Sequence, residues 1–243
     1  MENEQGCLRC INGDSRCLQV FAAELEPLTD RYRRFVADSF GMICPEYFWH
    51  VTAALGGRNH PWACRSVGGL VKHTKLAVWW AHRLIHFRGD VLDEQAQEII
   101  AALLLHDICK FEKPDGVTGV NTVGKAVKCH GHWAARALYT AWDIPPASNW
   151  MSRRFPKMVG AISGKSFERI TNAVAWHMGQ WSQGAPVNRS QWDMFGGVVY
   201  DVVSMADYLA ASKVDAAIAQ LQHTGSIEYE DTLNFSRDKG GEA

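Results

Sequence analysis

From Glu24 to Leu221 apolar residues return every three to four positions, and no stretch sustains the alternation in twos that a half-buried strand needs. This periodicity constrains the fold more than any other property of the chain, and it predicts an all-α protein. Helices are expected at about 24–40, 69–87, 93–110, 125–142, 167–178 and 197–221, with a short aromatic-rich stretch at 44–54. Between them lie a Gly/Asn/Pro loop at 56–61 and turn-rich segments at 113–124, 144–165 and 179–196. The pattern divides the chain into an N-terminal extension (1–44), one helical domain (45–222) and a polar tail (223–243).

A chain of 243 residues with 47% hydrophobic and 21% charged residues can bury a full core without disulfides or structural metals. Its 25 basic residues balance 26 acidic ones. No generally basic surface is therefore expected, and long duplex nucleic acid is a poor match. The first residues, MENEQGCLRC, lack the basic start and apolar run of a signal peptide, and no apolar run approaches the ~20 residues of a membrane span. A cytoplasmic protein with no membrane partner is expected. Seven irregularly spaced cysteines do not form a disulfide framework. Cys7, Cys10 and Cys17 are read as three free thiols or, if a fourth ligand exists, a zinc knuckle.

The strongest local signal is AALLLHDICKF at 101–111, an aliphatic helix that terminates in His106 and Asp107. Burying these two side by side is costly unless each is paired or bound to a cation. Either a His–Asp hydrogen bond closing the helix or a two-ligand contribution to a divalent ion satisfies that requirement. Helical phase adds to it. At ~100° per residue, His73 shares the apolar stripe of Leu76, Ala77, Trp80 and Leu84, whereas the His82/His86 pair faces the opposite side. His177 shares a face with Phe167, Ile170 and Val174, and Asp207 with Val203, Ala210 and Val214. Four helices thus each bury a ligand-type residue, and one metal centre would satisfy them all.

In order and spacing, GGLVKHT (68–74), LLHDICK (104–110), GHW (131–133), WHMG (176–179) and ADYLAAS (206–212) resemble the HD-domain metal-dependent phosphohydrolases. The resemblance implies an HD-domain helical bundle with a metal site between core helices. It further implies His73, His106, Asp107 and Asp207 as metal ligands, with His132 and His177 at a second ion bridged by Asp107. His177 is followed by Met178, whose thioether suits a hard cation poorly, so one ion or two are expected, a single ion first. The segment YFWHVTAALGGRNHPWACRSVGGLVKHT also resembles the entry of a phage and prokaryotic HD subgroup related to the HD domain of a bacterial 3′–5′ exoribonuclease. There a Gly-basic-x-His-Pro loop, here Gly57, Arg58, Asn59, His60 and Pro61, precedes the first ligand.

Two histidines and two carboxylates suit Mn, Fe, Ni, Co or Zn, with Mg as a harder alternative. The expected reaction is hydrolysis of a phosphate mono- or diester of a nucleotide, cyclic and dinucleotides included, by metal-activated water. Asp107, Lys110, His132 and His177 are the expected catalytic residues, the histidines serving as general acids if no second ion binds. Lys110, one turn beyond His106, is the best-placed phosphate-binding cation, ahead of Arg58, Lys72, Arg136 and Lys213. By helical phase His130, about 200° from His132, is expected to face away. Trp181 and Trp192, in the loop after His177, are candidates for stacking on a base. The alternatives are a 3′–5′ exonuclease on single-stranded nucleic acid and a non-catalytic nucleotide-binding sensor or adaptor; a homo-oligomer is compatible with either.

Overall fold

A computed structural model describes residues 15–54, 60–111, 129–144, 157–179 and 197–212. Among them are seven α-helices and one minimal hairpin, so the fold is all-α. The helices are α1 (Ala22–Leu25), α2 (Asp30–Ile43), α3 (Gly69–Arg88), α4 (Asp93–Leu105), α5 (His130–Ala141), α6 (Gly164–Trp176) and α7 (Val198–Ala211). Strands β1 (Met158–Val159) and β2 (Ile162–Ser163) pair antiparallel within the segment expected to be turn-rich. Single-turn 3-10 helices at Glu46–Trp49 and Trp62–Arg65 flank the loop that enters α3. No helix among the described residues is long and apolar enough to cross a membrane.

α4 is the axis of the bundle. From Glu98 to Leu105 every residue is buried, because EIIAALLL is apolar nearly all round and must be enclosed on every side. α2, α3, α6 and α7 provide that enclosure, and α5 packs on α6. The one charge in the run, Glu98, is held in a fork by Arg169 of α6 and lies 3.4 Å from the Tyr32 hydroxyl of α2. Burial first, and then Glu98 and Glu94, hold the Tyr32 phenol un-ionised by raising its pKa. Three helices are thereby locked to one another by a single fully buried carboxylate.

The expected first helix at 24–40 is broken in two. Pro27 has no amide hydrogen to continue α1, and Thr29 is extended (φ −64°, ψ 158°). Gln97 of α4 fastens the break, accepting from Thr29 N at 2.6 Å and donating to Pro27 O at 3.0 Å. A buried ion pair adds a second tie. Lys75 of α3 reaches both oxygens of Glu24 at 3.0 Å and lies 5.6 Å above the Phe21 ring. The described part of 1–44 therefore shares the core of the domain that follows, with Phe21, Tyr32 and Phe35 wholly buried.

α3 begins where it does because Gly68 adopts φ +70° and Gly69 packs against the turn before it. A Cβ on Gly69 would lie 2.1 Å from Cys64 O. α3 and α7 then lie against each other, as do α4 and α6. The ends of α4 and α6, the start of α5, the first turns of α3 and the second half of α7 converge on one point of the core.

His82 lies on α3 away from that point, and burial depresses its pKa to about 4. The unfolded value is about 6.5, so the ring's contribution is complete above that pH, declines as pH falls towards 4 and is constant below. Between pH 7 and pH 5 the native protein is expected to lose about 2 kcal/mol through this ring alone. In urea unfolding at the two pH values, His82→Leu should show a correspondingly smaller loss.

Candidate metal centre

His106 ends α4 for a chemical reason. Its Nδ1–H donates to Leu103 O at 2.6 Å, taking the carbonyl that the Asp107 amide would use in a continuing helix. The helix stops at Leu105 rather than at the expected Lys110, and His106 to Cys109 form turns. Tyr47 clamps the exit, donating to Ile108 O at 3.0 Å and accepting from Phe111 N at 3.3 Å. α6 ends in the same manner. His177 Nδ1–H donates to Val174 O at 2.7 Å. In both rings Nδ1 thereby carries a proton and Nε2 is turned inward, the arrangement found in metal-ligating histidines.

Three donor atoms meet between α3, α4 and α7, with Asp107 Oδ2 beside two of them. His73 Nε2 lies 2.9 Å from Asp207 Oδ1, 3.4 Å from His106 Nε2 and 3.5 Å from Asp107 Oδ2. His106 Nε2 is 3.4 Å from Asp107 Oδ2 and 3.5 Å from Asp207 Oδ1. Donors held ~2.1 Å from one ion are about 3.0–3.4 Å apart in octahedral or tetrahedral geometry, so His73, His106 and Asp207 fit a divalent transition metal, with Asp107 Oδ2 close to both histidines. The Nε2 atoms of His73 and His106 hydrogen-bond each other, and His73 Nε2 also hydrogen-bonds Asp207 Oδ1.

A second cluster shares Asp107. Its Oδ1 lies 3.0 Å from His130 Nε2 and 3.6 Å from His177 Nε2, and the two histidine nitrogens are 3.1 Å apart. Oδ1 is buried and accepts no hydrogen bond of proper geometry. A carboxylate with Oδ2 in one cluster and Oδ1 in the other is built to bridge. The residues present fit one ion well and offer three donors to a second.

Charge balance supports the same geometry. Burial opposes ionisation of Asp107, yet Lys110 and His106 hold its pKa far below the carboxylate range; His106 and His73 do the same for Asp207 against the same opposition. Burial likewise works against protonation of His106, but Asp107 and Asp207 outweigh it and raise the ring to about 10. His73 and His130 are held neutral chiefly by burial. Without an ion, then, Lys110 (2.5 Å from Asp107 Oδ2) and a protonated His106 neutralise two carboxylates. A divalent cation competes with the His106 proton for the same lone pair.

The sequence expectation requires one correction. His130, not His132, faces Asp107. His132 instead packs edge-on against Trp176, with ring centroids 4.3 Å apart. α5 starts at His130 after Cys129 in a left-handed conformation (φ +60°), and His130 shares the buried stripe of Ala134, Ala137 and Leu138. That i, i+4, i+7, i+8 stripe was the available signal, and it outweighs the motif match to His132. Arg136 is exposed and stacks on Trp133 at 5.4 Å, on a face of α5 away from the cluster. Lys72 donates to Ser66 Oγ at 3.1 Å. Arg58, Lys213, Trp181 and Trp192 lie outside the described residues, as do Cys7 and Cys10. His82 and His86 belong to neither cluster. His60 is the residue that sequence reasoning left without a role: it is buried, with its ring 4.8 Å from that of His73.

Gly131 allows α5 to approach the end of α6. A Cβ there would lie 2.5 Å from Val174 O and 2.9 Å from His177 Nδ1. Gly131→Val is therefore expected to push His130 and His177 apart while leaving His73, His106 and Asp207 in place, a change that a structure of the variant would show. No protein-family model, curated protein or solved structure matches this chain.

Proposed function

We propose that this chain is a metal-dependent phosphohydrolase of the HD type, acting on a phosphate mono- or diester of a small nucleotide. The observation that carries the reading is the cluster of His73, His106 and Asp207, with donors 2.9–3.5 Å apart, beside the buried Asp107, which lies within 3.5 Å of both histidines and also faces His130 and His177. Two imidazoles and two carboxylates suit borderline transition ions such as Mn, Fe, Co, Ni or Zn. When bound, such an ion lowers the pKa of a coordinated water and polarises a phosphoryl oxygen.

The chain's own groups supply the rest. Asp107 and Asp207 provide the negative charge that retains a dication. The Leu103 and Val174 carbonyls fix the tautomers of His106 and His177, so both nitrogens are oriented before any ligand arrives. Lys110, buried beside Asp107, is among the described residues the cation in direct contact with the cluster and is placed to neutralise phosphate oxygens as charge redistributes. The balanced net charge favours a small phosphorylated substrate over a long polyanion.

A panel of nucleotides, cyclic nucleotides and labelled single strands, assayed with Mn²⁺, tests the reading. Release of phosphate or nucleoside monophosphate, abolished by chelator and restored by Mn²⁺, is expected. Laddered digestion of the strand would redirect it to an exonuclease, and bound metal without hydrolysis would leave a binding protein. His106→Ala and Asp107→Asn should weaken metal binding by more than about 100-fold, as direct ligands exceed the effect of outer partners. His130→Ala should lower metal stoichiometry, whereas His132→Ala should leave it unchanged; the reverse result would restore His132 as the ligand.

A further inference from the structure

A cavity of about 710 Å³ opens between α3 and α7, and Leu84, Arg88, Gly179, Tyr200 and Ser204 are among the residues that line it. Its volume falls within the roughly 300–1,000 Å³ of small-molecule sites. The cavity begins beside the candidate metal centre. Ser204 precedes Asp207 by one turn of α7, and Gly179 follows His177 by two residues. Gly179 has φ +56°, and a Cβ there would lie 2.8 Å from Ser204 Oγ, so glycine lets the end of α6 close this wall. Leu84 and Arg88 continue the face of α3 that carries His73. Solvent reaches the centre over α7 as well: the Asp207 side chain is 16% exposed, against 0% for His73 and 1% for Asp107.

The far end of the cavity is set by charge. Arg88 Nε and Nη2 donate to Asp90 at 2.9 and 3.0 Å, and Nη1 lies 3.5 Å from Asp201 Oδ2. Two carboxylates thus face one guanidinium whose three nitrogens are all directed at them. Among the described lining residues Arg88 is the one cation, so this end is unsuited to a second phosphate and suited to hydrogen-bond donors. Asp201 is engaged among the described residues by Arg88 alone, which leaves Oδ1 with its acceptor capacity. Tyr200, hydrogen-bonded to Ser204, and the half-exposed Met205 and Tyr208 form the walls between. Aromatic and thioether walls ending in a carboxylate match a flat heterocycle with N–H groups on its edge.

We propose that this cavity holds the nucleoside of a guanine mononucleotide whose phosphate lies at the metal centre, with the N1–H and N2–H donors of the base facing Asp201 and its ring against Tyr208. The place of the phosphate rests on the phosphohydrolase reading; the place of the base rests on the cavity. From Asp207 to Asp201 α7 rises about 9 Å, the order of the distance between phosphate and base edge in a nucleotide. The Watson–Crick edge of guanine offers a carboxylate two neighbouring donors, whereas adenine and cytosine set an acceptor beside their amino group. The excess of carboxylates at the far end favours a mononucleotide over a dinucleotide.

The test follows the Met205 methyl by ¹³C NMR in full-length, methionine-labelled protein, with Met205→Leu identifying its signal. GMP, IMP and AMP are titrated into the protein as purified and again after chelation. GMP should shift the Met205 signal saturably in both states, with AMP binding about tenfold more weakly and IMP, which lacks the amino group, between them. Asp201→Asn should bring the three affinities within about threefold of one another, while Asp90 still holds Arg88. Tyr208→Ala should weaken all three alike, by about tenfold. Equal affinities in the native protein, an unmoved Met205 signal, native affinity in Tyr208→Ala, or discrimination that survives Asp201→Asn overturns the proposal. The phosphohydrolase reading fails on a different result: GMP bound in the cavity with no phosphate ester cut in the presence of Mn²⁺.

Discussion

Asp107 and Asp207 are carboxylates placed among apolar helices, where an uncompensated charge costs several kcal/mol. Most of the surrounding design answers that cost. Lys110 and the histidines supply the positive charge and the donors, and the helices are arranged so that these groups reach the carboxylates from four directions. The same compensation makes the centre useful. Groups gathered to neutralise two carboxylates, with their lone pairs turned inward, also have the spacing that a dication requires.

The second buried carboxylate system has a different character. Glu98 is fully neutralised by Arg169 and further engaged by Tyr32, so it has no capacity left for a ligand. It lies two turns before His106 on the same helix. One end of α4 is thus locked by a closed ion pair, and the other carries an open one. The lock fixes the helix's rotation, and rotation decides whether His106 and Asp107 face α3 and α7 or miss them.

Much of this was legible in the sequence, because helical phase is a strict rule for long amphipathic segments. His73, His177 and Asp207 each shared a stripe with apolar neighbours, and the structure brings all three to His106 and Asp107. Phase was less informative at helix ends. His130 is the first residue of α5, and without knowing where the helix began, the Gly-His match drew attention to His132. The end of α4 was placed five residues late because a side-chain hydrogen bond, His106 to Leu103, terminates a helix whose propensity would continue. His60 was not assignable at all, since it lies in a loop where no period relates sequence position to direction.

The burial of α4 from Glu98 to Leu105 has a consequence for the lifetime of anything held at its end. Residues in such a helix exchange their amides only through large-scale opening, because no local fluctuation exposes them. His106 and Asp107 ride on that helix, and His73 and Asp207 come from the two helices packed against it. The centre therefore belongs to the slowest-opening part of the molecule. An ion seated there is retained by the cooperativity of the fold as well as by its ligands, and its escape rate is tied to the rate at which the core itself comes apart.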